Sequence, residues 1–114
     1  MSDLSAEDRK LVTLARATRA RTGAAEGAAV RDADGRTYAA ATVALPSLQV
    51  SAVGVCVAMA VASGAACLEA AVVLTDAAAV AASDLAALRD LGGTAVVVHR
   101  GDVRGSLQET TTTA

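Results

Sequence analysis

A chain with a single aromatic side chain must build its interior from small pieces. Tyr38 is the sole aromatic among 114 residues, yet 54% of the residues are apolar. Ala, Val and Leu must therefore supply the core, and each buries little area. A single copy gains less per residue than an ordinary domain of this size, which favours oligomerisation. The alanine excess is equally what a GC-rich genome produces. The length fits one domain spanning 1–114. The formal net charge of −2 gives no bulk attraction to nucleic acid.

The first ten residues are polar and charged, so no secretory leader is expected there. The longest apolar run, Val50–Ser63, carries no charge over 14 residues. That is too short to span a bilayer and fits a buried helix. Cys56 and Cys67 form neither a disulfide framework nor a zinc pattern. Both are expected as buried free thiols of a cytoplasmic protein.

Ser5–Arg21 reads as a first helix. Ser5 with Asp8 three residues on is a capping pattern, and Leu4, Leu11, Leu14, Ala15 and Thr18 make a narrow apolar stripe. Arg9, Lys10, Arg16, Arg19 and Arg21 hold half of the ten basic residues and are expected to be a solvated face. Asp34-Gly35 between two extended runs predicts a hairpin of strands near Gly27–Arg31 and Arg36–Thr42. Pro46 then leads into a second helix over Gln49–Ser63, apolar nearly all round and covered on more than one side. Glu69–Thr75 and Thr94–His99 read as buried strands. Between them Ser83–Leu91 reads as a third helix, capped by Ser83 and stopped by Gly92-Gly93. From Gly105 the polar, Thr-rich tail is either a short edge strand or loose. The order α-β-β-α-β-α-β predicts an α/β fold, a three-layer α/β/α sandwich on a mixed sheet with an N-terminal hairpin.

This order, with Glu26-Gly-Ala-Ala-Val, Asp34-Gly-Arg-Thr-Tyr and Thr42-Val-Ala, resembles the small oligomeric cytidine deaminases. In that family the pattern runs Val-Gly-Ala-Ala, Asp-Gly, Asn-x-Glu, then Cys-Ala-Glu opening a helix and Pro-Cys-x-x-Cys opening another. Gly27, Ala28, Ala29, Asp34, Gly35 and Tyr38 align directly, without a gap through Gly64. From about Leu68 only the pattern persists. The resemblance implies an oligomer, dimer or tetramer, and a zinc enzyme that deaminates cytidine.

Carried over residue by residue, the resemblance empties the site. The aromatic that packs on the pyrimidine falls on Ala24. The substrate-binding Asn and Glu fall on Thr42 and Ala44. The first zinc ligand falls on Val53 and the catalytic Glu on Val55, with Cys56 where the family usually has Arg. The Cys-x-x-Cys pair falls on Ala81 and Asp84, in a segment about three residues shorter than in the enzymes. Deamination needs a zinc-bound hydroxide and a Glu to carry protons. Valine does neither, and Asp84 alone reads as a helix-start acid. The expected site therefore holds no catalytic residue and no metal or other cofactor.

Nothing else replaces it. His99, the sole histidine, lacks a visible nucleophile or orienting partner and reads as structural or surface. Arg100, Asp102 and Arg104 read as a solvated turn. Ser47, Ser51 and Ser63 lack a hydrolase elbow. The expected function is a catalytically inactive, homo-oligomeric scaffold or interaction module in the cytoplasm, with an unknown protein partner and no membrane contact. The alternative is a divergent nucleoside deaminase whose site a partner subunit completes. A weaker alternative uses the basic first helix to contact RNA, for which stacking platforms are lacking. A filled space between Thr42, Val53, Val55 and the loop before Leu85 marks a scaffold. An open polar space there marks nucleoside binding.

Overall fold

A computed structural model of the protein describes residues 4–114. Helix α1 spans Ala6–Thr22 and is followed by strands β1 (Gly27–Asp32) and β2 (Thr37–Ala41). A short arm follows, β3 (Val43–Leu45) and β4 (Leu48–Val50), and then helix α2 (Ala52–Ala62). Strand β5 (Leu68–Leu74), helix α3 (Ala82–Gly92) and a 3₁₀ turn (Gly93–Ala95) lead to β6 (Val97–Gly101) and β7 (Leu107–Thr112).

Five strands form one sheet in the order β2-β1-β5-β6-β7, with β5 and β6 parallel and the other pairs antiparallel. Period-two alternation decides which side chains meet which helices. Ala29, Ala70, Val72 and Leu74 pack with Leu11 and Ala15 of α1. Ala28, Val30, Ala71, Val73 and Val98 pack with Val53, Cys56 and Ala60 of α2 and Leu88 of α3. The central strands are thus buried on both faces, and the architecture is the predicted three-layer α/β/α sandwich on a mixed sheet.

The β1–β2 hairpin rests on Asp32. Gly35 N–H donates to the Asp32 carbonyl (3.0 Å), and Gly35 itself has φ +87°, which favours a residue without Cβ. The buried Asp32 carboxylate accepts from the backbone N–H groups of Asp34 and Arg36 through Oδ1, each at 2.9 Å. Its Oδ2 accepts from Arg36 Nε and from the Tyr38 hydroxyl, each at 2.8 Å. The only aromatic residue is therefore committed to this turn. Burial acts to raise the Asp32 pKa, but the Tyr38 hydroxyl, the two N–H groups and Arg36 together hold it below the usual carboxylate value.

A second polar knot fastens α1. Ser5 caps the helix by accepting from Asp8 N–H (3.0 Å). The Asp8 carboxylate turns to the sheet. It accepts from Arg31 Nη1 through Oδ1 and meets His99 Nε2 through Oδ2, both at 2.8 Å. His99 Nδ1 reaches Thr110 Oγ1 (2.8 Å) and Arg31 Nε donates to Glu69 (3.0 Å). His99, expected to lack an orienting partner, is buried and doubly held. Sequence separation hides this contact, because Asp8 and His99 lie 91 positions apart.

Several boundaries depart from the expectation. Helix α2 begins at Ala52 rather than Gln49, because Val43–Leu45 and Leu48–Val50 pair as a two-stranded arm turning at Pro46-Ser47. Ser83 does not cap α3: Ala81 stands at the cap without a side-chain bond, and Ser83 lies inside the helix. The 3₁₀ turn delays the start of β6 to Val97. The tail is the ordered edge strand β7 rather than loose, and Thr113 beyond it is buried. Its N–H donates to the Val96 carbonyl, its hydroxyl accepts from Val96 N–H, and its carbonyl accepts from Arg89 Nη1. Cys67 is only half-buried, since it follows the loop that leads into β5. Arg100 is not freely solvated but bonds Glu109, Gln108 and the Ala77 carbonyl.

Burial opposes ionisation of Asp8, yet hydrogen bonds from His99 and Arg31 outweigh it and hold its pKa below the usual carboxylate value. A depressed folded pKa stabilises the fold above the ordinary value and loses that contribution as pH falls through it towards the lower folded value. Asp8→Asn is expected to lower stability by about 1–3 kcal/mol near neutral pH. In urea titrations at a series of pH values, the gap to the wild type is expected to narrow as pH falls below about 4.

Candidate functional site

The openings of α2 and α3 lie side by side at the carboxyl end of β5. Ser51 precedes α2 in extended conformation, and its Oγ accepts from Gly54 N–H (2.9 Å) as an N-cap. The same Oγ donates to Asp84 Oδ1 at 2.6 Å. Asp84 sits in the first turn of α3, where the helix dipole favours a carboxylate, and is only 7% exposed. This one bond ties the two helix N-termini together.

Beside it opens a cavity of about 300 Å³, lined by Glu26, Ser51, Thr75, Ser83 and Asp84 together with small apolar residues of β5 and the following loop. Thr75 ends β5 and donates through Oγ1 to Glu26 Oε2 (2.6 Å), while accepting from Ala77 N–H (3.0 Å). Glu26 stands just before β1, and its N–H donates to Thr42 Oγ1 (3.0 Å). The polar wall thus comes from four segments that meet where the central strands end. Among the described residues no Lys, Arg or His lines it.

Of the residues marked from sequence, Ala81 and Asp84 line this cavity. Val53 is fully buried in the core beneath it, and Val55 packs partly against the same core. Thr42 bonds the Glu26 backbone, and Ala44 is exposed on the β3–β4 arm. Ala24 is half-buried after α1, its carbonyl accepting from Arg19 Nε (2.9 Å). Sequence reasoning missed Glu26, Ser51, Thr75 and Ser83 as cavity residues. Ser51 announced itself only as a small polar residue directly before an apolar run, which is a cap signal.

The thiols stand apart. Cys56 is buried under β2, its Sγ 3.6 Å from the Tyr38 carbonyl. Burial pushes its pKa up to about 12. Among the described residues no three His, Cys, Asp or Glu side chains gather as a metal-holding group. No helix among the described residues is long and apolar enough to cross a membrane.

The sequence profile of the cytidine deaminase-like family matches residues 4–105. The chain belongs to the cytidine deaminase-like family. No curated protein sequence matches it. Among solved structures it is similar to cytidine deaminase from Burkholderia pseudomallei, with TM-score 0.81 and 20% identity over 96% of this chain and 94% of that one. It is also similar to cytidine deaminase from Mycobacterium leprae, with TM-score 0.74 and 21% identity over 98% and 96% of the two chains. The enzyme from Mycobacterium tuberculosis superposes with TM-score 0.71 and 20% identity over 82% and 85%. At these identities the likeness establishes a shared cytidine deaminase-like fold.

Cys56, neutral and enclosed, is expected to resist iodoacetamide in the folded protein. Mass spectrometry of native and urea-unfolded samples checks this: Cys56 should label only on unfolding, and half-buried Cys67 at an intermediate rate.

Proposed function

We propose that this protein is a catalytically silent member of the cytidine deaminase-like family, working in the cytoplasm as a homo-oligomeric scaffold or interaction module. One observation carries the reading: what stands at the openings of α2 and α3. The resemblance places Cys-Ala-Glu at one such opening and Pro-Cys-x-x-Cys at the other. Helix α2 opens with Ser51-Ala52-Val53, and α3 opens after Val80-Ala81 with Asp84 three residues on. This register sits two residues before the one counted from sequence. Either register leaves the first ligand and the acid without function, as Ser51 and Val53 or as Val53 and Val55.

The donors at the helix openings do not fit zinc. A hydrolytic zinc takes three protein ligands and leaves a fourth position for water. Here Ala81 offers no donor, and the Ser51 hydroxyl is occupied with Gly54 and Asp84. Among the described residues Asp84 is the one carboxylate that the two helix openings bring to the cavity. Cys56 cannot substitute, because its thiol lies in the core and is protonated at neutral pH.

Unpartnered apolar surface supports the oligomeric half. Val61 of α2 is 57% exposed, and a groove of about 290 Å³ between α2 and α3 is lined by Val57, Val61, Ala87, Asp90 and Leu91. Leu45 and Leu48 at the tip of the β3–β4 arm are also more than half exposed. A second copy burying these faces supplies the area that a core of small side chains lacks. The basic face of α1 gives RNA little purchase, since Arg9 and Arg19 bond backbone carbonyls of their own segment.

The second reading, a divergent deaminase completed by a partner subunit, draws support from Glu26 and Asp84 lining one open polar cavity. Elemental analysis with a cytidine absorbance assay separates the two. Purified protein is expected to hold far less than one zinc per chain and to leave cytidine unchanged. Stoichiometric zinc with loss of cytidine would establish the second reading. In size-exclusion chromatography with light scattering, the mass is expected at a multiple of 11.2 kDa, with Val61→Glu shifting it towards one chain. A stable wild-type monomer at micromolar concentration removes the oligomer.

A further inference from the structure

The cavity between the helix openings survives without the hydrolytic machinery, and its walls specify an occupant. We infer that it binds a small organic cation, an ammonium or guanidinium head on a short hydrocarbon stem. This goes beyond the loss of hydrolysis and does not depend on the oligomeric state.

Two carboxylates face one space. Glu26 receives the Thr75 hydroxyl on Oε2, and Asp84 receives the Ser51 hydroxyl on Oδ1, both at 2.6 Å. The remaining Asp84 oxygen takes no hydrogen bond from any described residue, although the residue is 7% exposed. No unpartnered side-chain oxygen among the described residues is sealed off, so this one keeps accessible surface, and Asp84 lines the cavity. A carboxylate so nearly buried, with an idle but accessible oxygen, wants a donor. The described residues supply none, because no cationic side chain among them lines the cavity.

The other walls fix the size and the stem. Val73, Ala77, Ala79, Val80 and Ala81 make the apolar part of the lining. The volume of about 300 Å³ lies at the low end for ligand sites, which run from roughly 300 to 1,000 Å³. The space suits a compact molecule with one charged end. An anion meets two like charges. An uncharged nucleoside can donate to the carboxylates but brings no opposite charge. A cationic donor adds Coulomb attraction to the same hydrogen bond, which sets the preference.

The test uses n-butylammonium chloride as probe on the full-length, ¹⁵N-labelled protein. Matched sodium chloride, butyrate, butanol and cytidine serve as controls. Amide signals of Ser51, Thr75 and Ala81–Asp84 are expected to move saturably with n-butylammonium and to stay unmoved by the controls. Glu26→Gln and the Glu26→Gln/Asp84→Asn double variant are expected to weaken the probe about tenfold or more. Asp84→Asn keeps an oxygen for Ser51, and Glu26→Gln leaves the buried bond untouched. The single Glu26 variant therefore keeps the test valid if the double variant unfolds. Absence of saturation, equal shifts with sodium chloride, unchanged affinity in Glu26→Gln, or saturable binding of cytidine but not of n-butylammonium each overturns the proposal.

Discussion

The hydrogen bond from Ser51 to Asp84 is the contact on which the architecture of the site depends. It joins two helices that touch the sheet separately and share few other polar links. The geometry spends the serine completely, since Oγ caps α2 and its proton goes to α3. It also makes the near-burial of Asp84 tolerable, because a carboxylate at a helix start gains from the dipole and from a short donor. Without it no side-chain hydrogen bond among the described residues would join the two helix openings. With it they form one rim, and the cavity lies beside that rim.

The two faces of the sheet solve the polar problem differently. On the α1 face a charged network closes on itself: Asp8, Arg31 and His99, largely buried, bond one another and the more exposed Glu69 and Thr110. On the opposite face the polar groups stop at an opening and leave capacity unused. That asymmetry separates a structural cluster from a candidate binding site more clearly than residue type does. By composition, the cluster holding the sole histidine would have looked the more chemical of the two.

Much of the fold was legible where local signals and burial agree. The Ser5 cap, the Asp34-Gly35 turn, the Val-rich strands and the Gly92-Gly93 stop each act within a few residues, and each element formed near its expected place. The β3–β4 arm was not legible. Its strands have three residues each, too short for alternation to show, and the proline between them reads equally well as a helix start. The same arm blurred the site, because a count carried through it from the hairpin put Val53 at the helix opening, whereas α2 opens at Ser51. Ala81 and Asp84 were placed by aligning the third helix, a count that does not cross the arm, and both line the cavity. Glu26 and Thr75 became a pair only through folding, being 49 positions apart.

An interior of small side chains lets helices approach the sheet closely, and Gly27 shows how closely. A Cβ at this position would stand 2.5 Å from the Ala15 carbonyl oxygen and 2.6 Å from Arg19 Cβ. Helix α1 thus rests on bare backbone at its carboxyl half, while its amino end carries Asp8. A helix of 17 residues behaves as a lever. One methyl group wedged beneath one end would tip the other, so a spacing of a few tenths of an ångström under Ala15 governs whether a carboxylate more than a full turn away still meets its imidazole.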